Sequence, residues 1–397
     1  MKDEFRKLKI VYHHRTQGKG AEGVHIREII KALEVEGHTV YVVNPPGINV
    51  LMERDEADVF KKSWLAKFWS ISSKYAPQVL FEILEVCYNF VAFYAIKKIV
   101  EKENIDFIYE RNAFFCWAGT AVARKFNIPI FIEVNEVSGI ERIRGQVLTK
   151  IAKKIEQFNF HNAYAIIVVS EFLKKHIANM GINEEKIHVM PNAVDIKKFQ
   201  SNENEIKTIK DKFKLGDKIV LGFVGSFVKW HNFDLLFNVL KETSVQLNKN
   251  ICLLVVGDGP LRESLKLKVK ELGIEGKVIF TGKVLHAQVP QYINTMDICI
   301  IPHANEYRSP IKLFEYMAMG KTVVVPKVEP IESIITHSEN GWIFELDNKD
   351  SLFKSLKFLI ENKNIQEEIG KNARDLVFNQ YLWSHNAQRL LSLYYNY

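Results

Sequence analysis

The chain has 397 residues, of which 47% are hydrophobic and 25% charged, an ordinary composition for globular domains. That length predicts two or three domains with substantial cores. The formal net charge of +7 favours an anionic partner, which is a nucleotide sugar, a lipid headgroup or a nucleic acid. The sequence has no zinc-finger spacing, aromatic RNA-binding motif or basic tail, and this argues against nucleic acid.

Four cysteines stand singly in apolar runs, without any C-x-x-C pair: Cys87, Cys116, Cys252 and Cys299. Isolated cysteines of this kind are typical of buried thiols in a reducing compartment rather than of disulfides or metal ligands. The opening sequence MKDEFRKLKIVYHH lacks the apolar core of a signal peptide. Together these features predict a cytoplasmic protein.

Apolar, β-branched runs alternate with amphipathic helical stretches from end to end. Near-continuous Val/Ile runs with helices between them indicate parallel sheets that are buried on both faces. Twelve strand candidates are too many for one open sheet, so the sequence predicts an α/β protein of two doubly wound, Rossmann-like domains. In chain order the candidates are 8–14, 39–46, 107–112, 129–135, 165–170, 187–192, 219–225, 251–257, 278–282, 298–302, 322–326 and 341–344.

The domain boundary is predicted within 191–218, where a Pro-Asn turn is followed by a polar, charged stretch. We therefore expect an N-terminal domain of residues 1–193 and a C-terminal domain of residues 194–381. Ligands of doubly wound domains bind outside the carboxyl ends of the strands. Two such domains face to face predict a site in the cleft between them.

Residues 79–100 form the most apolar segment, but two glutamates and an asparagine interrupt it before it reaches the roughly 20 apolar residues of a membrane-spanning helix. Upstream, residues 61–75 mix lysines with tryptophans, which is typical of a helix at an anionic lipid surface. A helix pair that packs on its domain, with lysine stems along the edge, fits the same composition. Residues 61–100 are thus a candidate membrane contact, and both interpretations stand.

The loop after the first strand holds Gly18, Gly20 and Gly23, at which backbone can approach a ligand closely, and Arg15 and Lys19 add positive charge. The glycines fit G-x-G-x-x-G, but the next strand ends in an asparagine and two prolines rather than the acidic residue of a dinucleotide site. A flexible turn is the alternative interpretation. The position between strand and helix favours a substrate loop.

Two further strands of the first half end in polar residues. Glu110 and Arg111 close one strand, Glu133 and Asn135 close the next, and all four are expected to point into the cleft. Because Glu110 and Arg111 are neighbours, a structural ion pair between them is the simpler interpretation of those two.

Two loops of the second half follow strands in the same way. Residues 224–232 form a candidate ligand loop, although Trp230 and His231 would also suit the cap of the next helix. Residues 255–260 form a tight turn that many doubly wound domains contain. The candidate residues of the two loops are Gly225, Ser226, Lys229, His231, Gly257 and Gly259.

The stretch SPIKLFEYMAMG (309–320) follows an apolar strand and begins a helix. The first turn of a helix offers unpaired backbone N–H groups and a partial positive charge, so it is a prepared anion site. Lys312 adds a formal charge, and Glu315 lies one turn deeper on the same face. Because a carboxylate repels phosphate, we expect Glu315 to bind sugar hydroxyls.

The segment SPIKLFEYMAMGK resembles the C-terminal donor loop of glycosyltransferase family 4, the retaining enzymes of the GT-B fold. The resemblance implies that a sugar passes from a nucleotide-diphosphate sugar to an acceptor hydroxyl with retention, in surface polysaccharide, lipopolysaccharide or glycolipid synthesis. It implies that the enzyme needs no bound metal and no cofactor besides the donor. It also implies that a C-terminal helix, about 382–397, packs on the N-terminal domain. Other similar segments follow in family order, at 20–43, 169–199, 224–236 and 255–261.

Four positions depart from the family pattern. The first Glu of the usual Glu-x7-Glu pair falls on Tyr307, and the usual His near the end of strand 129–135 falls on Asn135. The usual Arg and Lys of the diphosphate site fall on Ser226 and His231. These departures leave open the donor sugar and the identity of the catalytic residue. We expect Lys229 and Lys312 to replace the missing cations, and His231 to donate a hydrogen bond or, if it is protonated, to supply charge.

By resemblance, Glu315 binds the nucleotide ribose, and the helix start with Lys312 stabilises the departing diphosphate. Glu133 is the candidate for orienting the acceptor hydroxyl or stabilising charge on the anomeric carbon, with His13 and His14 as alternatives. The predicted catalytic residues are Glu133, Asn135, Lys312 and Glu315. The predicted donor site comprises Gly18, Gly20, Gly225, Ser226, Lys229, His231, Gly257, Gly259, Tyr307, Ser309, Pro310, Ile311, Lys312, Leu313 and Glu315, and the predicted acceptor site comprises His14, Arg15, Glu110 and Arg111.

Two other functions remain open on the sequence alone. A sugar-nucleotide epimerase or a phosphorylase can share this architecture and also binds sugar phosphates. A non-catalytic partner in a membrane-associated assembly would tolerate the four departures. Transfer or hydrolysis of a donor separates the enzymes from the partner, and product identity separates the enzymes from each other.

Overall fold

A computed structural model describes residues 6–16, 18, 20–46, 48–51, 78–140, 147–200 and 202–396. The chain divides into two compact units, Met1–Pro191 with Trp383–Tyr397, and Asn192–Leu382. Each unit contains one six-stranded sheet whose described strand pairs are all parallel. The predicted class, α/β with two doubly wound domains, is confirmed.

The first sheet has the order β2-β1-β3-β4-β5-β6. Its strands are β1 (Lys9–His13), β2 (Thr39–Val43), β3 (Phe107–Arg111), β4 (Ile130–Val134), β5 (Ala165–Val168) and β6 (Ile187–Val189). The helices between them are α1 (Gly20–Val35), α2 (Gln78–Lys102), α3 (Ala118–Phe126), α4 (Thr149–Asn162) and α5 (Glu171–Ala178). The strand order reverses between β1 and β3, so the loops after these two strands diverge and leave a crevice at the carboxyl edge.

The second sheet has the order β12-β11-β10-β7-β8-β9. Its strands are β7 (Ile219–Val224), β8 (Ile251–Val256), β9 (Val278–Gly282), β10 (Ile298–Ile300), β11 (Thr322–Pro326) and β12 (Trp342–Phe344). The helices are α6 (Glu203–Lys212), α7 (Phe233–Gln246), α8 (Arg262–Glu271), α9 (Val289–Asn294), α10 (Ile311–Ala318), α11 (Glu329–Glu332), α12 (Lys349–Glu361) and α13 (Lys363–Gln380). The order reverses between β7 and β10, which makes this pair the switch point of the second unit.

Alternation along the strands explains why helices cover both faces of the second sheet. Successive side chains of a strand point to opposite faces. Leu253 and Val255 of β8 lie in one core cluster, whereas Cys252, Leu254 and Val256 lie in another. Every residue of β8 is buried, because each face is covered by its own apolar layer.

The last helix, α14 (Trp383–Tyr395), belongs to the first unit. The Trp383 ring meets the His25 ring of α1 edge-on, with centroids 4.7 Å apart. At the other end of α14, the Tyr394 ring lies 5.2 Å from the Phe107 ring of β3. Aromatic contacts at both ends thus attach α14 to its unit.

By length and composition alone, α2 could cross a membrane. Its polar residues, however, hold it to the first unit. The Asn89 amide donates to Phe115 O at 2.7 Å, and its oxygen accepts from Trp117 N at 2.6 Å. Glu82 accepts the backbone N–H groups of Val147 and Leu148 at 2.9 and 2.7 Å. A helix that spanned a bilayer would lose these bonds, so the contacts favour α2 as a packed helix of this unit.

Two further expectations concern the same region. Residues 61–75, the predicted interfacial helix, lie outside the described residues. Cys87 is exposed on α2, so the prediction of four buried thiols is wrong there, although Cys116, Cys252 and Cys299 are buried. The apolar sequence around Cys87 was misleading because α2 also presents apolar side chains to solvent.

Candidate active site

Three glycines bring the loops after β7 and β8 into direct backbone contact. A Cβ on Gly257 would lie 2.1 Å from Gly225 O, and one on Gly259 would lie 2.5 Å from Phe227 N. Backbone hydrogen bonds join the same loops, since Gly225 N donates to Val256 O at 2.9 Å and Phe227 N to Asp258 O at 3.1 Å. Gly257 and Gly259, predicted to bind the donor, thus have a packing role that is sufficient to require glycine.

Gly225 also sets the place of Lys312. Its φ of +151° lies in the region that favours glycine, and an added Cβ would lie 2.6 Å from Lys312 Nζ. The ammonium lies 4.2 Å from the centroid of the Phe223 ring and 3.4 Å from His231 Nε2. Burial lowers the pKa of Lys312 to about 7, although Glu315 acts in the opposite direction. An anion at this position would restore the full charge of Lys312.

His231 is a neutral partner of this lysine. Burial, followed by the charges of Lys312, His303 and Arg308, lowers the pKa of His231 to about 2. Of the two roles open to His231 on the sequence, hydrogen bonding therefore fits and positive charge does not. Ser226 and Lys229 of the same loop are exposed.

The N-terminus of α10 is fixed from two sides. Pro310 is its N-cap residue, so the N–H groups of Ile311 and Lys312 begin the helix, and Leu313 N donates to Pro310 O at 3.0 Å. Ser309, just before the cap, is held by Asn192, whose backbone N–H donates to Ser309 Oγ at 3.1 Å and whose amide donates to Ser309 O at 2.5 Å. These contacts hold the loop that carries the predicted anion site.

From the helix side, Tyr316 ties α10 to the end of β7. Its hydroxyl accepts from Val224 N at 2.7 Å, and the side chain is fully buried. The bond places the first turn of α10 at the switch point, beside the loop after β7 that carries Gly225; we call this loop the glycine loop.

Glu315 lies one turn from Lys312 and is buried. Its Oε1 lies 2.9 Å from His286 Nε2, and the described part of the chain shows no partner for Oε2. Tyr307, at the position of the usual first glutamate, is also buried, with its hydroxyl 3.4 Å from the Asn305 amide and the Arg308 guanidinium 5.3 Å from its ring. The Tyr307 hydroxyl is therefore a neutral group in place of a carboxylate.

At the switch point of the first unit, Glu110 pairs with His13 rather than with Arg111. His13 Nδ1 lies 2.5 Å from Glu110 Oε2, which also accepts from Gly119 N at 3.0 Å. The expected Glu110–Arg111 pair is wrong, because neighbouring residues of β3 point to opposite faces of the sheet. Arg111 instead bonds Glu133 on the next strand.

Glu133 is the centre of a buried network of donors. Its Oε1 accepts from Arg111 and, at 2.5 Å, from the Asn135 amide. Its Oε2 lies 3.0 Å from His25 Nε2, 3.1 Å from the Tyr109 hydroxyl and 3.5 Å from the Tyr12 hydroxyl. Both oxygens are thus occupied by the protein itself.

The electrostatics of this network keep Glu133 ionised. Burial alone would raise the pKa of Glu133, but the charges of His25 and Arg111, with hydrogen bonds from His25 and Asn135, hold it well below its usual range. Burial raises the pKa of both tyrosines, which therefore remain donors. The geometry favours Glu133 and Asn135 as positioning residues, and their catalytic role stays a prediction.

The loop after β1 contains the remaining predicted residues. His14 is fully buried, and neither ring nitrogen has a well-aligned hydrogen-bond partner in the described chain, although the Thr16 backbone lies near. Burial, with His13 and Arg111, lowers the pKa of His14 to about 3, so the ring is neutral. Arg15 pairs with Glu85 of α2 at 2.8 Å.

The two predicted donor glycines of this loop differ. Gly18 has a φ of +65°, and an added Cβ would lie 2.9 Å from Val50 Cγ2. Gly20 begins α1, and no atom of the described chain lies within 4 Å of a Cβ added there, so a ligand could approach it. Lys19 lies outside the described residues.

His13, Glu110 and Cys116 offer three potential metal ligands within 4.8 Å of one another. Two ligand atoms of a tetrahedral zinc site are about 3.3 Å apart, given metal–ligand bonds near 2 Å. The 2.5 Å between His13 Nδ1 and Glu110 Oε2 is instead a hydrogen-bond distance. The geometry favours a hydrogen-bonded pair over a metal site.

The sequence did not predict several residues of these sites, among them His25, Asn192, His286 and Tyr316. His25 and His286 reach their glutamates from helical segments distant in sequence, and no motif marks that pairing. Asn192 and Tyr316 stand inside the segments 169–199 and 309–320, and that membership was the available signal.

We predict that Glu133→Gln destabilises the first unit by about 3–5 kcal/mol at pH 7, because the buried Arg111 loses its counter-ion. The lowered pKa of Glu133 contributes stability to the folded wild type. This contribution is fully present above the carboxyl pKa of the unfolded chain, about 4.3, and is lost as the pH falls below that value. Urea unfolding should therefore show a smaller loss of stability between pH 5 and pH 3 in the variant than in the wild type. Unchanged stability together with lost activity would assign Glu133 to catalysis instead.

Comparison with known families gives two successive matches. The model of Glycosyltransferase Family 4 matches residues 22–198, and that of Glycosyl transferases group 1 matches residues 205–376. Together they span most of the chain; the first match lies almost wholly in the first unit, and the second lies in the second unit.

Several proteins are similar over most of their length. An uncharacterised glycosyltransferase of Methanocaldococcus jannaschii is 25% identical over 300 residues, 74% of this chain and 76% of that protein. The N,N'-diacetylbacillosaminyl-diphospho-undecaprenol alpha-1,3-N-acetylgalactosaminyltransferase of Campylobacter jejuni is 25% identical over 316 residues, 76% of this chain and 80% of that enzyme. A capsular polysaccharide biosynthesis glycosyltransferase of Staphylococcus aureus is 26% identical over 290 residues, 70% and 73% of the two chains.

Solved structures show the fold. The sucrose-phosphate synthase of Thermosynechococcus elongatus matches with a TM-score of 0.75 and 17% identity, over 98% of this chain and 99% of that one. The Anabaena protein HepE, in complex with UDP, matches with a TM-score of 0.70 and 16% identity, over 98% of this chain and 100% of that one. The chain therefore belongs to glycosyltransferase family 4 and is a hexosyltransferase of the GT-B fold.

Proposed function

We propose that the protein transfers a sugar from a uridine diphosphate sugar to a hydroxyl of a lipid-linked saccharide, with retention of anomeric configuration. The observation that carries this proposal is the N-terminus of α10, which Tyr316 and Asn192 hold beside the glycine loop with Lys312. The UDP in the Anabaena structure supports the donor class. The diphospho-undecaprenol in the name of the Campylobacter relative supports the acceptor class.

The leaving group is the part of the reaction that the second unit is built to stabilise. As the bond from the anomeric carbon to the diphosphate breaks, negative charge grows on the diphosphate. The free N–H groups of Ile311 and Lys312 and the Lys312 ammonium lie together at the helix start. The neutral His231 ring adds a hydrogen-bonding group without repelling the lysine.

Glu315 suits the nucleotide rather than the phosphate. His286 holds Oε1, and Oε2 is available to accept a ribose hydroxyl. Tyr307 replaces a carboxylate where family members contact the donor sugar, so a neutral hydroxyl would meet the sugar here. Retention follows if the acceptor attacks from the face that the diphosphate leaves, with the hydroxyl proton passing to a departing phosphate oxygen. No metal or further cofactor enters the proposed step.

The first unit would hold the acceptor at its own switch point. His14 is the candidate contact to a saccharide hydroxyl, and its lowered pKa keeps the ring neutral. Glu110 and Arg111 act through their partners His13 and Glu133, which fix the strand ends. A lipid-linked acceptor places the protein at a membrane, and we propose a peripheral position on its cytoplasmic face.

We predict that the affinity for UDP falls as pH rises from 7 to 9, because free Lys312 loses its proton near pH 7 and the complex requires it charged. Well above the pKa of Lys312, the affinity for UDP should fall about tenfold for each further pH unit. Since the second phosphate ionisation lies near pH 6, the diphosphate of the ligand does not titrate in this window. Calorimetry in buffers of different ionisation enthalpy would measure the proton taken up.

The matched control is Lys312→Arg, whose guanidinium stays charged throughout this range. The variant should bind UDP with an affinity that is nearly independent of pH between 7 and 9. A wild-type protein whose affinity does not change over the same range would contradict the assignment of Lys312 to the diphosphate.

The function itself is tested by transfer. Purified protein, a panel of uridine diphosphate sugars and a short-chain polyprenyl-diphosphate saccharide should give a product whose new linkage keeps the donor's anomeric configuration, read by NMR coupling constants. Inversion would overturn retention. An epimerised donor without transfer would favour the epimerase, and failure to bind any nucleotide would favour a non-catalytic partner.

A further inference from the structure

The exposed face of α2 is apolar over four turns. Every exposed residue from Val79 to Tyr94 is apolar, and Phe90 and Tyr94 are 58% and 67% exposed. Their spacing of three and four places them on one side of the helix, along about 24 Å. We call this set the α2 stripe; its members are Val79, Leu80, Ile83, Cys87, Phe90, Val91 and Tyr94.

The stripe cannot turn inward, because the opposite face of α2 is already bonded to the first unit. Asn89 bonds the backbone of the segment that precedes α3, and the Tyr88 hydroxyl lies 3.3 Å from His13 Nε2. A helix that is apolar all round is expected to be covered on both sides. One side of α2 is covered by its own unit, and the other needs a partner.

The first turns of α4 extend this apolar surface. Glu82 of α2 accepts Val147 N and Leu148 N, which brings the start of α4 to the N-terminal end of the stripe. Val147 and Ile151 are exposed there. The two neighbouring elements thus expose apolar side chains of the kind that mark an interaction site.

Lysines flank the patch at both ends. Lys150, Lys153 and Lys154 are exposed on the first turns of α4. At the far end of α2, Lys98 and Lys102 are exposed, and the Lys125 ammonium lies 6.0 Å from the Phe93 ring. Glu101 is the exposed acid of that end of α2, where it pairs with Lys97. An apolar stripe between groups of lysines matches the layers of an anionic bilayer, which has phosphates outside and acyl chains beneath.

We propose that the α2 stripe and the start of α4 form a docking surface for an anionic lipid bilayer, with the stripe at the acyl boundary and the flanking lysines among the phosphates. A second copy of the chain fits less well. Because lysines stand at both ends, a twofold pairing through the stripe would bring like charges together in either orientation. This inference concerns where the protein resides and rests on no step of the proposed transfer.

Cys87 provides a direct test, since it lies in the stripe and the other three cysteines are buried. A polarity-sensitive fluorophore attached to Cys87 of the full chain should shift to the blue with equimolar phosphatidylglycerol and phosphatidylcholine vesicles. Vesicles of phosphatidylcholine alone should give a much smaller shift. The absence of a shift with the anionic vesicles would overturn the proposal.

Variants then separate the contribution of the apolar side chains to vesicle binding from that of the lysines. Phe90→Ser with Tyr94→Ser should weaken sedimentation with the anionic vesicles at least tenfold, because two exposed apolar side chains are lost. The matched control is Val245→Ser with Leu267→Ser, which removes exposed apolar residues from the second unit. Lys150→Glu with Lys154→Glu should weaken binding to anionic vesicles alone, and Lys354→Glu with Lys357→Glu on α12 is its control.

Each alternative has its own outcome. A concentration-dependent dimer that the Phe90→Ser, Tyr94→Ser variant dissociates would assign the stripe to a second copy and overturn the proposal. Equal vesicle binding by the stripe variant and its control would likewise overturn it. UDP binding by the stripe variant should match the wild type, so loss of docking and failure of the proposed transferase function remain distinguishable.

Discussion

The contact on which the donor site depends is the close approach of α10 to the loops after β7 and β8. Tyr316 accepts the last N–H of β7, Gly225 leaves the space that Lys312 fills, and Gly257 leaves the space for Gly225 O. Each contact fails if a side chain intervenes. The helix start, the lysine and the glycine turn are therefore one structure, and the anion site is a consequence of how tightly the second unit packs at its switch point.

The two units use their switch points in different ways. In the second unit the site leaves donors free, at the first turn of α10 and on Lys312. In the first unit the polar groups mostly satisfy one another, since Glu133 accepts from several side chains and Glu110 pairs with His13. His14, neutral and buried beside them, has no well-aligned hydrogen-bond partner for its ring nitrogens in the described chain. That contrast suits a unit that stabilises a departing anion and a unit that positions a neutral hydroxyl.

The sequence predicted the strands and the positions of the loops that follow them well, because buried parallel strands leave a continuous apolar signal. It could not predict which polar side chains would pair. The alternation along β3 sends Glu110 and Arg111 to opposite faces, and His25 and His286 come from helical segments that no motif connects with Glu133 and Glu315. Composition also could not show that one side of α2 is exposed, since both of its sides are apolar.

The central claim, that a nucleotide diphosphate binds where α10 meets the glycine loop, is tested most directly by UDP calorimetry on Gly225→Ala. An added Cβ would lie 2.6 Å from Lys312 Nζ and must displace it. The control is Gly273→Ala, which also adds a Cβ at a positive φ (+67°), although no atom of the described chain lies within 4 Å of that Cβ. Binding at least tenfold weaker in Gly225→Ala, with Gly273→Ala close to wild type, is the predicted result. Equal affinities in all three proteins would place the diphosphate elsewhere.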